Sequence, residues 1–299
     1  MAGSISAAVE GDRTSRTLAS SQVTASDTLI HRRIVRRTRG TGHGPITRLM
    51  SPSDLGEIVK PFVFLDLFDA AGSDLSGFGW HPHSGIATLT YLWEGDVRYE
   101  DTSGAAGQLP AGGVEWFKAA GGAWHGGGAG KSGRSRGFQL WLALPPGEEL
   151  GTSESIYLSP EEVPSTGPVS VLLGSYGGAE SPLTAPSPIN YLAVRLKAGE
   201  TWRYQPPADH DVLWIALASG SLAVPEPIAA GEMVAFDKST TAINIRAEAD
   251  SELVLGSAAS HPHDLMLGYY SVHTSPEALE TAERHIADIQ LRLKQEGIL

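Results

Sequence analysis

The chain has 299 residues, is 41% hydrophobic and 19% charged, carries a formal net charge of −12 and contains no cysteine. This length suits one large domain or two of ordinary size, and the charge opposes direct binding to nucleic-acid backbones or anionic lipid. Without thiols there is no disulfide and no thiolate metal site, so any metal must use nitrogen and oxygen ligands; nor does any apolar run reach the ~18 residues of a membrane span.

Residues 1–28 are rich in Ser, Thr and Ala with scattered charges such as Glu10, Asp12 and Arg13, and are expected to form a flexible tail. They lack the apolar core of a secretory signal, which suits a cytoplasmic protein, or a nuclear one in a eukaryote. From Leu29 the pattern turns to strand-like runs: Ile30 to Arg36, Pro61 to Phe68, Ile86 to Trp93, Val97 to Glu100, Val114 to Phe117 and Gly137 to Leu144. Glu94-Gly95-Asp96 reads as a hairpin turn. An acidic linker is expected over 146–166. Further strand candidates follow at Val169 to Leu173, Ile189 to Leu196, Val212 to Ala218, Gly220 to Val224, Glu232 to Phe236, Ala242 to Ala247 and Glu252 to Gly256, with one more at Leu265 to Val272.

The two halves share a rhythm, LWEGDVRYE in the first and LASGSLAVP in the second, which reads as an internal duplication. Many short strands punctuated by 35 glycines and 19 prolines favour an all-β chain of two jelly-roll barrels. At the end, Ser275-Pro276 supplies an N-cap and a first-turn proline. Leu279, Ala282, Ile286, Ile289 and Leu293 then mark one apolar helix face. That helix is expected to pack on a sheet; binding a partner is the alternative.

His81-Pro82-His83 carries the chemistry. Residues i and i+2 of a strand point the same way, so two imidazoles can aim at one point, and His125, set among Gly121, Gly122 and Gly126 to Gly128, can join from a neighbouring strand. Neutral imidazole is the commonest metal ligand. Glu115 and Glu100-Asp101 are the nearest acids. A second triplet, His261-Pro262-His263, lacks a third histidine at matching spacing and reads as loop; His43 reads as a surface loop residue, and His31, His210 and His285 carry no motif. Trp80, Trp93, Trp116, Trp124 and Trp141 read chiefly as core, with one or two free to face a cavity.

The segments FLDLFDAAG (64–72), GWHPHSGIATLTYLWEGDVRYEDTSGAAG (79–107), GGVEWFKAAGGAWHGG (112–127) and FQLWLALP (138–145) resemble the pirin family. The second half is similar more loosely, through YLAVRLKAGETW (191–202) and the terminal helix. The resemblance implies two cupin domains with a C-terminal α-helix, divided here as 29–145 with the metal site and 167–299 with the helix. It also implies a metal, usually iron, held by three histidines matching His81, His83 and His125, and by one glutamate. The family's glutamate position holds Gly127, and the more general cupin position holds Ala87. Three imidazoles can still hold Fe(II), the first expectation, or Zn, Cu or Ni. Some family members open flavonols with dioxygen, and others are regarded as metal-dependent regulators of protein partners. The resemblance thus implies either a planar phenolic ligand or a protein partner; for the enzyme, Glu115 is the candidate catalytic base.

Overall fold

Strands rich in Val, Ile, Leu and aromatics account for most of the fold in the computed structural model, which describes residues 32–71 and 79–299. The tail expected over residues 1–28 and His31 lie outside the described residues. Strand pairing is antiparallel throughout the described ladders, and a single parallel bridge joins Ser84 to Ser271. In the first barrel one sheet runs in the order 154–158, 114–118, 86–101, 134–143, 62–71, 46–50, 41–43. The far half of Ile86–Asp101 leaves that sheet and pairs with Ala106–Pro110 on one side and Ala123–Ala129 on the other. Ala123–Ala129 in turn pairs with the short strand His81–His83. The second barrel has a seven-stranded sheet and a four-stranded sheet. The chain is thus mostly β, with a cupin architecture and a C-terminal helix.

Gly95 does not close a hairpin, as the sequence suggested. It lies inside one continuous strand, Ile86–Asp101, at φ +79, where a Cβ would strike the Arg134 carbonyl. The strand bends there from one sheet to the other. Gly220, at φ +88, does the same between Val212–Ser219 and Ser221–Val224, whose partners lie in different sheets. Only glycine takes such a backbone cheaply. The shared rhythm of the two halves is therefore a shared sheet-switching bend.

The ends of the chain depart from the expected division. Ile34–Thr38 pairs with Met233–Phe236 in the second barrel, so the 29–145 segment gives its first strand to the other half. Arg32, buried beside it, donates to the carbonyls of Asp237 and Asp211. Conversely, the 167–299 segment sends its last part to the first barrel. Leu265 to Val272 is no single strand but a tight hairpin, Met266–Gly268 with Ser271–His273. The helix Pro276–Gln295, capped by Ser275 Oγ accepting from Ala278 N, buries Ala278, Ala282, Ile286, Ile289 and Leu293. Its Ile289 and Leu293 cluster with Trp124, whose indole N–H donates to the Ile286 carbonyl at 2.9 Å. Part of the expected linker also acts as structure, since Glu154–Leu158 adds a strand beside Val114–Lys118.

The barrels meet through one continuous apolar cluster that includes Leu65, Leu89 and Leu140 from the first and Leu173, Tyr191 and Trp214 from the second. Phe62 meets Trp214 edge-on at 5.3 Å. Both are wholly buried, and truncating such an aromatic costs about 3–5 kcal/mol. This interface fixes the sheet that carries the candidate site.

Candidate metal centre

The antiparallel pairing of His81 with His125 brings the triplet and the third histidine together. One nitrogen from each of His81, His83 and His125 lies within 4.8 Å of the other two. His83 and His125 are buried and His81 is half-buried. The rings are braced by neighbours: His125 lies parallel to Phe117 at 4.3 Å, and His83 stands edge-on to Trp141 at 4.8 Å.

Two of the rings are also anchored through Nδ1. His81 Nδ1 is 2.8 Å from the Gly79 carbonyl, and His83 Nδ1 is 3.0 Å from the Tyr270 carbonyl. His125 Nδ1 is 3.5 Å from Glu115 Oε1. A carbonyl can only accept, so the first two rings carry their proton on Nδ1 and leave Nε2 as a lone pair. His81 Nε2 and His125 Nε2 face each other at 3.0 Å. His83 Nε2 is buried without a hydrogen-bond partner among the described residues, an unusual and costly state for a polar atom. Burial, with repulsion from His125, holds His81 down to about pKa 4 and His83 well below its ordinary value. These two rings are therefore kept in the neutral form that a metal needs. Convergent lone pairs, an orphaned buried nitrogen and suppressed protonation all fit a metal ion.

Glu115 lines the same cavity as His81 and His125, yet it approaches His125 from the Nδ1 side and lies outside the convergent nitrogen group. Glu100 is exposed, and Asp101 accepts from Ser103 and from the Tyr157 hydroxyl at 2.9 Å. Ala87 sits in the apolar core. At Gly127 a Cβ would lie 2.7 Å from the Arg98 carbonyl oxygen, so the strand pairing there has closed over the space a side chain would need. Among the described residues, the three histidines thus have no carboxylate beside their convergent nitrogens.

One wall of the cavity was missed by sequence reasoning. The register places Arg48 beside Asp66, Asp66 beside Gln139, Gln139 beside Thr90, and Thr90 beside Glu115. Directly paired residues share a sheet face, so this is a polar row across five strands. Asp66 accepts two hydrogen bonds from Arg48, and burial still raises its pKa. Thr90 Oγ1 is buried without a partner among the described residues. The signal was present as single polar residues within apolar strand runs, as in FLDLF and GFQLW. The cavity measures about 60 Å³ and no tryptophan lines it; all five expected core tryptophans face elsewhere.

The second triplet gathers no set of three. The His261 and His263 rings are 5.2 Å apart, and among the described residues no other histidine or acid joins them within ligand spacing. His43 is exposed on the short strand Thr41–His43.

The pirin family model matches residues 45–142. Two Pseudomonas aeruginosa proteins, whose names assign quercetin 2,3-dioxygenase activity provisionally, are similar to the chain. One is 34% identical over 78% of this chain and 87% of its own length; the other is 30% identical over 71% and 79%. The chain belongs to the pirin family. Pirin-like protein 2 of Arabidopsis thaliana is 26% identical over 84% of this chain and 82% of its own. In fold, this pirin is similar to a quercetin 2,3-dioxygenase from Acinetobacter baumannii, with a TM-score of 0.80 at 20% identity over 90% of this chain and 100% of that one. It is also similar to a bacterial pirin from Escherichia coli solved in complex with nickel(II), with a TM-score of 0.61 at 23% identity over 77% and 98%. The three-histidine group is a set able to hold a metal ion. Among the described residues no helix is long and apolar enough to cross a membrane.

Proposed function

We propose that this pirin is a metal-binding bicupin protein in which His81, His83 and His125 hold Fe(II) as a regulatory or redox-sensing centre, whose state is read by a protein partner. The convergence of one ring nitrogen from each of three histidines, two of them anchored through Nδ1 and held neutral by burial, carries this reading. A bound metal would supply Lewis acidity and, as iron, a change of oxidation state. The chain's own residues orient the rings, keep His81 and His83 unprotonated and exclude bulk water from His83. Two features favour sensing over turnover: among the described residues no carboxylate faces the convergent nitrogens, and the cavity of about 60 Å³ is far below the ~300 Å³ at which pockets for drug-sized ligands begin.

A quercetinase-type dioxygenase acting on a planar phenol is the second reading, favoured by the names of the Pseudomonas relatives. In it Glu115, beside His125 in the cavity, would take the phenolic proton. Metal analysis followed by oxygen-dependent quercetin loss separates the two. Stoichiometric iron uptake lost in His83→Ala, with no quercetin turnover, is the expected result. Robust turnover abolished by His125→Ala would replace sensing with catalysis, and failure to take up any transition metal would end both readings.

A further inference from the structure

Beside the metal centre lies a second cluster whose chemistry the site does not use. Ser84, next in sequence to His83, has its hydroxyl 3.0 Å from His273 Nε2. His273 Nδ1 is 3.1 Å from Glu149 Oε2, and Glu149 also accepts from the Thr274 amide at 2.7 Å and the Thr274 hydroxyl at 2.6 Å. In an open cleft a Ser–His–Glu series would be read as a nucleophile and its base. Here Ser84 is wholly inaccessible and the other two are nearly so, so no substrate reaches the hydroxyl.

What the cluster does is hold one segment against another. Ser84 also donates to Ser271 Oγ at 2.8 Å, and its carbonyl accepts from the Val272 amide. Gly85, at φ +71, leaves the room the segment requires: a Cβ there would strike the Val272 carbonyl and lie 2.8 Å from His273 Nε2. The hairpin so pinned turns at Tyr270, a non-glycine residue held at φ +56. A side chain in that region is strained and persists only where the surroundings enforce it. The strained turn delivers the Tyr270 carbonyl to His83 Nδ1 at 3.0 Å.

We infer that Glu149, His273 and Ser84 are positioning residues for the metal centre, acting through the Tyr270 carbonyl that fixes the orientation and tautomer of His83. The C-terminal hairpin, which comes from the far end of the chain, is then part of the site. This rests on the metal-binding reading above and goes beyond it, because it assigns a role to four residues outside the ligand set. Outer groups that hold a ligating histidine usually matter on the order of 10–100-fold in metal affinity.

The test uses the full chain loaded with Co(II), whose visible absorption bands report ligand geometry. Glu149→Ala should weaken Co(II) binding about tenfold and alter those bands, and Glu149→Gln, which keeps an acceptor of the same shape, should recover most of both. Ser84→Ala serves as a second variant if Glu149→Ala does not fold, with the same expected direction. His210→Ala, which breaks a buried contact to Ser257 in the second barrel, controls for general destabilisation and should leave the bands unchanged. Wild-type affinity and bands in both Glu149→Ala and Ser84→Ala would overturn the inference while leaving the metal site standing. A wild-type chain that takes up no Co(II) would instead remove the metal reading, and the positioning role with it.

Discussion

At His125 the two ring nitrogens have different company: His81 Nε2 on one side at 3.0 Å, and the Glu115 carboxylate on the other at 3.5 Å. The position where the family resemblance implies a carboxylate holds Gly127, and the acid beside His125 is instead Glu115, on the far side of the ring. Such a group does not lower the net charge of the ligand set. It raises the basicity of the imidazole it faces and fixes its tautomer. Glu115→Gln keeps the size and removes the charge, so nickel(II) affinity should fall about tenfold while the thermal midpoint of the metal-free protein changes little. A competition titration against a chelator of known affinity measures the first and a thermal melt the second. Equal affinity in both proteins would reduce Glu115 to a cavity wall residue.

Among the elements, the pairing of Val97–Asp101 with His125–Ala129 decides whether a fourth ligand can be restored. Gly127 sits opposite Tyr99 in that ladder, and its missing side chain leaves 2.7 Å between a notional Cβ and the Arg98 carbonyl oxygen. Gly127→Ala should therefore destabilise the protein by about 1–3 kcal/mol, as overpacking does, and Gly127→Glu by at least as much without a gain in metal affinity. Urea unfolding of both variants checks this, and a stable Gly127→Glu that binds metal more tightly would contradict it. The His81–His83 pair was legible in sequence because i, i+2 spacing on a strand needs no knowledge of the rest of the fold. The helix was legible because its cap and apolar stripe are local. Three features were not. An x-Gly-x bend serves a hairpin and a sheet switch equally, so the local sequence at Gly95 does not tell one from the other. The pairing of Ile34–Thr38 with Met233–Phe236 spans about two thirds of the chain, and nothing near either segment announces it. The Tyr270 contact to His83 is made by a backbone carbonyl, which no side-chain pattern records, and the Asp66–Gln139–Thr90–Glu115 row exists only once the register is known.

Across the whole molecule, buried neutral histidines tie stability to pH. Burial holds His81 and His261 down to about pKa 4 and His83 well below 6.5, and it also lowers His210 and His273. Glu149 opposes the shift at His261 and His273, whereas His263 and Lys60 reinforce it at His261. Unfolded, all five would protonate near 6.5. Below that pH the unfolded chain binds more protons than the native one, so native stability falls as pH falls. The loss begins near pH 6.5 and continues to about 4, where His81 and His261 protonate in the folded state. Asp66 runs the other way, since its raised pKa favours the native state in acid, but one carboxyl offsets only part of five histidines. The metal-free protein should therefore show a thermal midpoint that is flat above pH 7 and drops steadily between pH 6.5 and 4. A metal added at pH 7 should raise that midpoint and steepen the drop, because it binds only the neutral rings. His261→Phe, outside the three-histidine group, should soften the slope in both forms without changing the increment the metal gives at pH 7. A midpoint that stays level from pH 7 to 4.5 in the metal-free protein would show that these rings are not held neutral by burial.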